Sequence, residues 1–152
     1  MADLGAKRVN DSYTTQVQVL TQGNLNGYNR LFGGQLMSWM DVVAAVVARR
    51  HSGRNVTTVR VDDLEFRAPA HANDTVYLTA HICHAGHTSM DVCVHAYVES
   101  LSGKRELINR ANFLMVALDE NEKPTAVPSL ILETDQQRAE WQEAEIRKKR
   151  RK

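Results

Sequence analysis

The strongest hydrophobic pattern in this chain lies between residues 34 and 50, where apolar side chains cover almost every direction around a predicted helix. The segment 39–48 reads WMDVVAAVVA, and its one polar side chain is Asp41. A helix that is apolar all round is typical of a protein interior. A carboxylate in such surroundings is costly unless it is paired or used. We therefore predict a buried helix and treat Asp41 as the first candidate for chemistry.

On both sides of this helix the pattern changes to the alternation of period two that is typical of strands. Residues 13–20 predict one strand, and a loop rich in Gly and Asn follows over 21–32. Four more strands are predicted after the helix, over residues 56–66, 75–84, 88–98 and 107–118. Gly86 and Gly103 mark short connections, so we expect an antiparallel meander.

Strict alternation also assigns side chains to the two faces of each strand. It sends His81 and Cys83 to one face of their strand and His84 to the other. In the last strand it places four apolar residues on one face, namely Ile108, Leu114, Val116 and Leu118.

These elements predict an α+β fold in which an antiparallel sheet wraps a long central helix. One curved sheet covers only part of such a helix, so a second copy of the chain is expected to cover the rest as a homodimer. Residues 1–12 are polar and predicted to be flexible, 13–130 form the domain, and 131–152 form a C-terminal helix with a basic tail. Thr134 and Gln137 have the spacing of a capping box at the start of that helix.

Composition is ordinary for a globular domain of 152 residues, with 43% hydrophobic and 24% charged residues. The net charge of +1 hides an acidic body and a basic end, because the last six residues read RKKRRK. Such a tail could contact nucleic acid or an anionic membrane, but a short terminal charge run is more often a solvated end, so nucleic acid is not the favoured partner. No secretory signal and no membrane-spanning run is visible, which predicts a cytoplasmic protein.

Cysteine and histidine residues raise the question of a metal or a disulfide. Without export, Cys83 and Cys93 are expected to be free thiols. Five residues in the strands could bind a metal by type, namely His81, Cys83, His84, His87 and His95. Their spacing follows no regular zinc pattern, so we predict no metal site.

Several segments together resemble a known family. The sequence NGYNRLFGGQLMSWMD, residues 26–41, resembles the active-site segment of hotdog-fold acyl-CoA thioesterases. The resemblance continues through VDDLEFRAPAHANDTVYLTA (61–80), GHTSMDV (86–92) and NRANFLMVALDENEKPTAVP (109–128), and it covers roughly residues 12–130. Two glycines usual in the family are replaced by Asn29 and Asn73. Asn tolerates a positive φ better than most residues, so both turns should survive.

The resemblance implies a hotdog fold, a dimer with a continuous sheet, and often a trimer of dimers, which is a hexamer. It implies hydrolysis of the thioester bond of fatty acyl-CoA, as part of fatty acid metabolism. It implies no metal and no cofactor other than the coenzyme A of the substrate. The family's catalytic asparagine falls on Asn26 and its catalytic acid on Asp41, which come from opposite subunits.

The residue types at these positions suit that chemistry. Asp41 can act as general base toward water, or attack the thioester directly to give a mixed anhydride. Asn26 can orient the water or donate a hydrogen bond to the substrate carbonyl. If the resemblance is set aside, an asparagine in a loop rich in Gly and Asn is more often part of a turn.

Other candidates follow from position. Gly33 and Gly34 would leave free amides at the helix N-terminus, which favours negative charge on a thioester oxygen. The same two glycines could instead serve only for close packing. Thr88 and Ser89 could contact the pantetheine arm. Three arginines are candidates for the phosphates of CoA, namely Arg60, Arg67 and Arg110, although single arginines usually lie on solvated faces.

Two other functions remain open at this point. A hotdog hydratase or dehydratase acting on enoyl or hydroxyacyl thioesters would typically use a histidine, and the loop before the helix has Phe32 next to Gly33 and no histidine. A non-catalytic acyl-CoA binding protein would need the same fold without turnover. The acyl chain length depends on the depth of a cavity, which the pattern does not specify.

Overall fold

The computed structural model describes residues 4–151, and its regular elements confirm the α+β class. In chain order they are β1 (Ala6–Arg8), α1 (Val9–Ser12), β2 (Thr14–Val19), α2 (Gly33–Ser52), β3 (Asn55–Phe66), β4 (Thr75–Ala85), β5 (Ser89–Glu99), β6 (Arg105–Leu118), β7 (Ser129–Ile131) and α3 (Asp135–Arg150). Five strands form one antiparallel sheet in the order β2-β4-β5-β6-β3, and the sheet wraps α2.

The long helix begins and ends close to the predicted bounds. Its last turn carries Arg49 and Arg50, whose charges suit the negative end of the helix dipole, and His51, whose pKa is lowered by burial. Gly53 then adopts a φ of 68°, and its amide bonds to the carbonyl of Arg49, which terminates the helix.

The predicted meander is right for β4, β5 and β6 and wrong for β3. Tight turns at Gly86 and Gly103 join the three meander strands. The connection between β3 and β4, residues 67–74, is longer and carries the chain from one edge of the sheet toward the other. It turns just before β4, where Asn73 holds a φ of 69° and the amide of Asp74 donates to the carbonyl of His71. Consequently β3 pairs with β6 at one edge, while β2 pairs with β4 at the opposite edge.

The core lies between α2 and the inner face of the sheet. From the helix, Met40, Val43, Ala44 and Val47 are essentially inaccessible to solvent. The side of α2 that faces away from the sheet is open, because Val42 is 53% exposed and Asp41 is only partly buried. The expectation of a helix buried on all sides is therefore wrong within a single chain, since five strands wrap only one side of it.

A β-bulge at Cys83 corrects the assignment of faces in β4. The register of β4 against β5 shifts between Ile82 and His84, so Cys83 is the extra residue. After one extra residue, alternation resumes on the other face. His81 and His84 therefore lie on the same outer face of the sheet, where the sequence had separated them.

A second bulge corrects β6. Asn109 pairs with Ala96 and Leu107 with Tyr97, so Ile108 is the extra residue. Ile108 and Asn109 are both buried, and the inward set after them is Ala111, Phe113, Met115 and Ala117. The predicted inward residues beyond the bulge are on the opposite face, namely Leu114, Val116 and Leu118.

The N-terminal segment, predicted to be flexible, contains regular structure over its described part. Strand β1 pairs in parallel with β7, and α1 packs against α2. His51, at the end of α2, is fully buried and donates a hydrogen bond from Nε2 to the carbonyl of Pro128 at 2.8 Å. Three-residue strands leave almost no periodicity, which is why the pattern did not indicate them.

The C-terminal helix α3 packs on the outer face of the sheet. Thr134 caps it by accepting from the amide of Gln137 at 3.1 Å, as the capping pattern predicted. Contacts with β4 join His81 Nε2 to Glu140 at 2.5 Å and His84 Nε2 to Glu145 at 2.7 Å. Within residues 4–151, no helix has both the length and the apolar character needed to cross a membrane.

Candidate active site

Asp41 lies in the third turn of α2, on the side of the helix next to β3. Thr58 of β3 donates a hydrogen bond from Oγ1 to Asp41 Oδ1 at 2.5 Å. The same hydroxyl lies 3.3 Å from the sulfur of Met115, its cross-strand partner. One carboxylate oxygen of Asp41 is thus fixed by a neutral donor, and no cation pairs with this carboxylate within residues 4–151.

Asn26 lies in the loop before α2, where its side chain organises the turn. Its Oδ1 accepts from the amides of Tyr28 at 2.9 Å and Arg30 at 3.3 Å. Its own amide donates to the carbonyl of Arg30 at 2.8 Å, and Asn29 holds a φ of 60°, which confirms that this turn survives without glycine. With its oxygen so occupied, the side-chain NH₂ of Asn26 is the group left to meet a ligand.

A cavity of about 390 Å³ opens beside Asn26. Its wall includes Gly33 at the start of α2, and its remaining lining is mostly apolar. The other lining residues are Arg30, Leu31, Leu36, Phe66, Arg67, Ala68, Pro69, Ala70 and Ile108. A concave, mainly apolar site with a few polar groups is typical of small-molecule binding.

The two glycines at the helix start support both predicted uses. No backbone acceptor within residues 4–151 takes the amides of Gly33 and Gly34, as expected for a helix N-terminus. A side chain at Gly34 would lie 2.6 Å from a ring carbon of Phe32, so close packing also requires glycine there. At Gly33 the nearest atoms would be in the ring of Phe66, at an ordinary 3.5 Å.

Within one chain these groups form two separate half-sites. Asp41 is eight residues beyond Gly33, which places it about 12 Å further along the helix axis. Asp41 does not line the cavity that contains Asn26.

The remaining candidates are scattered. Thr88 precedes β5 and Ser89 begins it, near the end of the sheet that carries Thr58, and Ser89 pairs with Val116. Arg60 is bound to Asp62 at 2.7 Å. The other two arginines share one carboxylate, since Arg110 and Arg67 both lie within 3.6 Å of Glu65.

Sequence reasoning did not identify Thr58 or Arg30. Thr58 stands in the alternating segment VTTVRV, where a threonine reads as an ordinary strand residue. Its closeness to Asp41 becomes visible only when β3 is placed beside α2. Arg30 adjoins Asn26 in space because the backbone of the two residues is paired across the loop.

Neither cysteine offers a reactive thiolate. Burial raises the pKa of Cys93 to about 12, and burial likewise raises the pKa of Cys83 far above its ordinary value. Both thiols are unpaired, as predicted. No group of three or more His, Cys, Asp or Glu side chains within the described part of the chain is arranged to hold a metal ion.

Comparison with known proteins agrees with this geometry. Residues 28–102 match the Thioesterase superfamily. An uncharacterized acyl-CoA thioester hydrolase from Bacillus subtilis is 39% identical over 74% of this chain and 66% of its own length, so the chain spans about two thirds of that relative. The Escherichia coli acyl-CoA thioester hydrolase YciA is 35% identical over 69% of this chain and 81% of its own length.

Solved structures extend the similarity to almost the whole chain. A crystal structure of an apo hexameric acyl-CoA thioesterase superimposes with a TM-score of 0.92 at 30% identity, covering 97% of this chain and 95% of the other. The acyl-CoA hydrolase of Staphylococcus aureus, solved with butyryl coenzyme A and coenzyme A, gives 0.90 at 29% identity, covering 96% and 90%. The wrapped helix is thus a hotdog fold. Within that class, the chain belongs to the acyl-CoA thioester hydrolases of the thioesterase superfamily.

Proposed function

We propose that this protein hydrolyses acyl-CoA to a free acid and coenzyme A, with Asp41 as the acid-base residue and Asn26 from a second copy of the chain. Asp41 removes a proton from water, and the water oxygen attacks the thioester carbonyl. The carbon–sulfur bond then breaks, and the leaving thiolate of CoA takes up a proton. Direct attack by Asp41, with hydrolysis of a mixed anhydride, uses the same groups.

The developing oxyanion needs hydrogen-bond donors placed in advance. Gly33 and Asn26 line the same cavity, so the free amide of Gly33 and the NH₂ of Asn26 can supply them, and the free amide of Gly34 follows directly in the helix. The reaction needs no cofactor beyond the coenzyme A that the substrate carries. Thr88, Ser89 and Arg60 are further from this cavity, and we assign them at most contacts with the CoA arm.

The proposal is supported by the hydrogen bond from Thr58 to Asp41, together with the sequence spacing of Asn26, Asp41 and Thr58. Asn26 precedes Asp41 by 15 positions, and Thr58 follows it by 17. Three separate structures of the Staphylococcus aureus acyl-CoA hydrolase have an asparagine, an aspartate or a threonine replaced by alanine. In that protein the asparagine also precedes the aspartate by 15 positions, and the threonine also follows it by 17. This agreement supports a shared role for the three residues.

A dimer would join the half-sites. Large apolar side chains remain exposed along the open side of α2 and along β3, and they are Phe32, Val42, Val59, Leu64 and Phe66. Antiparallel pairing of two β3 edges would cover them and continue the sheet. We propose that Asp41 of one protomer then faces Asn26 of its partner, and that three dimers form a hexamer. The apo relative is also described as hexameric. We further propose a cytoplasmic role in fatty acid metabolism.

The first test replaces Asp41 by Asn and follows thiol release from acyl-CoA. We expect kcat to fall at least about a hundredfold, because general-base catalysis contributes roughly 10²–10⁴. The matched control is Asp135→Asn, an exposed carboxylate at the start of α3 and outside both the proposed site and the β3 edge, which should keep its activity. Full activity of Asp41→Asn would overturn the mechanism.

Complementation tests the shared site directly. Asn26→Ala and Asp41→Ala chains should each be inactive alone. When the two are unfolded and refolded together, half of the dimers are mixed, and each mixed dimer holds one intact site. Activity should return to roughly a quarter of the wild-type value in a symmetric two-site dimer. No recovery in proven mixed dimers would mean that each site is built from one chain.

A further inference from the structure

The cavity beside Asn26 has an apolar floor and a cationic mouth. Leu36, Ala70 and Ile108 close the floor, and each is at most 3% exposed. The mouth is formed by exposed residues, among them Arg30 and Arg67. A ligand that fills this cavity should therefore be apolar at its inner end and polar or anionic at its outer end.

The floor is held in place by backbone hydrogen bonds from three separate segments. The amide of Leu31 donates to the carbonyl of Ala70 at 2.7 Å, which ties the Asn26 loop to the connection before β4. The amide of Arg67 donates to the carbonyl of Ile108 at 2.8 Å, which ties that connection to the bulge in β6. Because these bonds fix the backbone, the floor cannot retreat easily to admit a longer ligand.

The placement of Asn26 and Gly33 on the wall orients an acyl-CoA. With the thioester carbonyl at these two residues, one end of the substrate points to the floor and the other to the mouth. The phosphates of CoA suit the mouth, where Arg30 has no carboxylate partner among residues 4–151 and Arg67 already pairs with Glu65. The acyl chain suits the floor.

We infer that Leu36, Ala70 and Ile108 limit the length of the acyl chain, and that the preferred substrates are short-chain acyl-CoA esters. This inference rests on the proposed function and assigns its specificity. Within one chain the cavity, with its mouth, is about 390 Å³. That is near the low end of the roughly 300–1,000 Å³ found for small-molecule pockets, and the mouth and the thioester take part of it.

The experiment measures kcat/KM for a series of straight-chain acyl-CoA esters from acetyl to palmitoyl. Ile108→Ala deepens the floor, so the ratio of kcat/KM for hexanoyl-CoA to that for butyryl-CoA should rise about tenfold. This is the effect expected when a pocket accommodates one more methylene group of the substrate. Ala68→Leu adds a side chain to the wall, so the same ratio should fall by a similar factor. A ratio is used because it is independent of the fraction of folded enzyme.

Ile82→Ala is the matched control for lost volume. Ile82 is fully buried on β4, loses the same atoms, and does not line the cavity. Its chain-length profile should equal that of the wild type even if its stability falls.

The outcomes separate this inference from the proposal on which it rests. If the wild type releases CoA from none of the esters, the proposed function itself fails. If the wild type is active but prefers long chains, or if Ile108→Ala and Ala68→Leu keep its profile, the floor does not set chain length. A shift in Ile82→Ala as large as that in Ile108→Ala would also overturn the inference, since general loosening of the core would then explain both.

Discussion

The two faces of the sheet hold their helices by different physical means. On the inner face, α2 packs through Met, Val and Ala side chains that are almost completely buried. On the outer face, α3 buries only Ala144 and Arg147, and its main contacts are hydrogen bonds to His81 and His84 and the packing of Trp141 on the His84 ring, with centroids 3.9 Å apart.

Because of this difference, the positions of α2 and α3 should respond differently to pH. Apolar burial is non-directional and does not depend on protonation, so the position of α2 should be insensitive to pH. The position of α3 depends on hydrogen bonds to the carboxylates of Glu140 and Glu145, which are weakened when these carboxylates are protonated. The proposed chemistry lies on α2, the helix whose position is set mainly by apolar packing.

The largest effect should come from the inner face. Met40→Ala removes a side chain that is 0% exposed, and it should lower the free energy of unfolding by about 2–5 kcal/mol. Urea denaturation followed by circular dichroism measures this value. A loss below 1 kcal/mol would mean that the inner face is packed less tightly than the exposures indicate.

The outer face should respond less and more locally. Trp141→Ala removes a partly exposed ring, so we expect a cost of about 2 kcal/mol, below that of a fully buried aromatic residue. Hydrogen exchange should accelerate in α3 while α2 keeps its protection. Equal acceleration in both helices would contradict the separation of the two faces.

Acid should release α3 as its glutamates lose their charge. Burial, the largest single influence, would raise the pKa of Glu140, but the hydrogen bonds from His81 and Gln136 and the nearby His81 and His95 rings together outweigh it and leave this pKa below 4.5. The hydrogen bond from His84 lowers the pKa of Glu145 in the same direction. The contribution of these glutamates is present above about pH 4.5 and is lost below it.

Tryptophan fluorescence can follow this release, because the chain has two tryptophans. In a Trp39→Phe variant the signal comes from Trp141 alone and should change as pH falls below about 4.5. Adding Glu140→Gln should weaken this change. A signal that stays constant in acid until the whole chain unfolds would show that charge does not hold α3.

The sequence allowed prediction of the inner face better than the outer face. Apolar periodicity is dense around Asp41, so the bounds of α2 and the identity of the central helix could be predicted. The spacing from Asn26 to Asp41 was equally visible, as a resemblance. Single inserted residues at Cys83 and Ile108 left no such signal, and each reversed the faces predicted for the rest of its strand.

The polar contacts between α3 and the sheet also could not be predicted from the sequence pattern. Helix α3 could be predicted from its capping residues, but its contact with the sheet uses His81 and His84, which alternation had placed on opposite faces. Thr58 could not be connected with Asp41, because the two are 17 positions apart and meet only when β3 lies beside α2.

The ring of Phe32 over Gly34 couples two neighbouring positions in evolution. A methyl group at position 34 would collide with that ring, so any larger residue there demands a smaller or displaced side chain at position 32. Phe32 is itself 55% exposed on the side left open in a single chain. Lineages that alter one of these residues should therefore alter the other as well, and with it the surface offered to a neighbouring subunit.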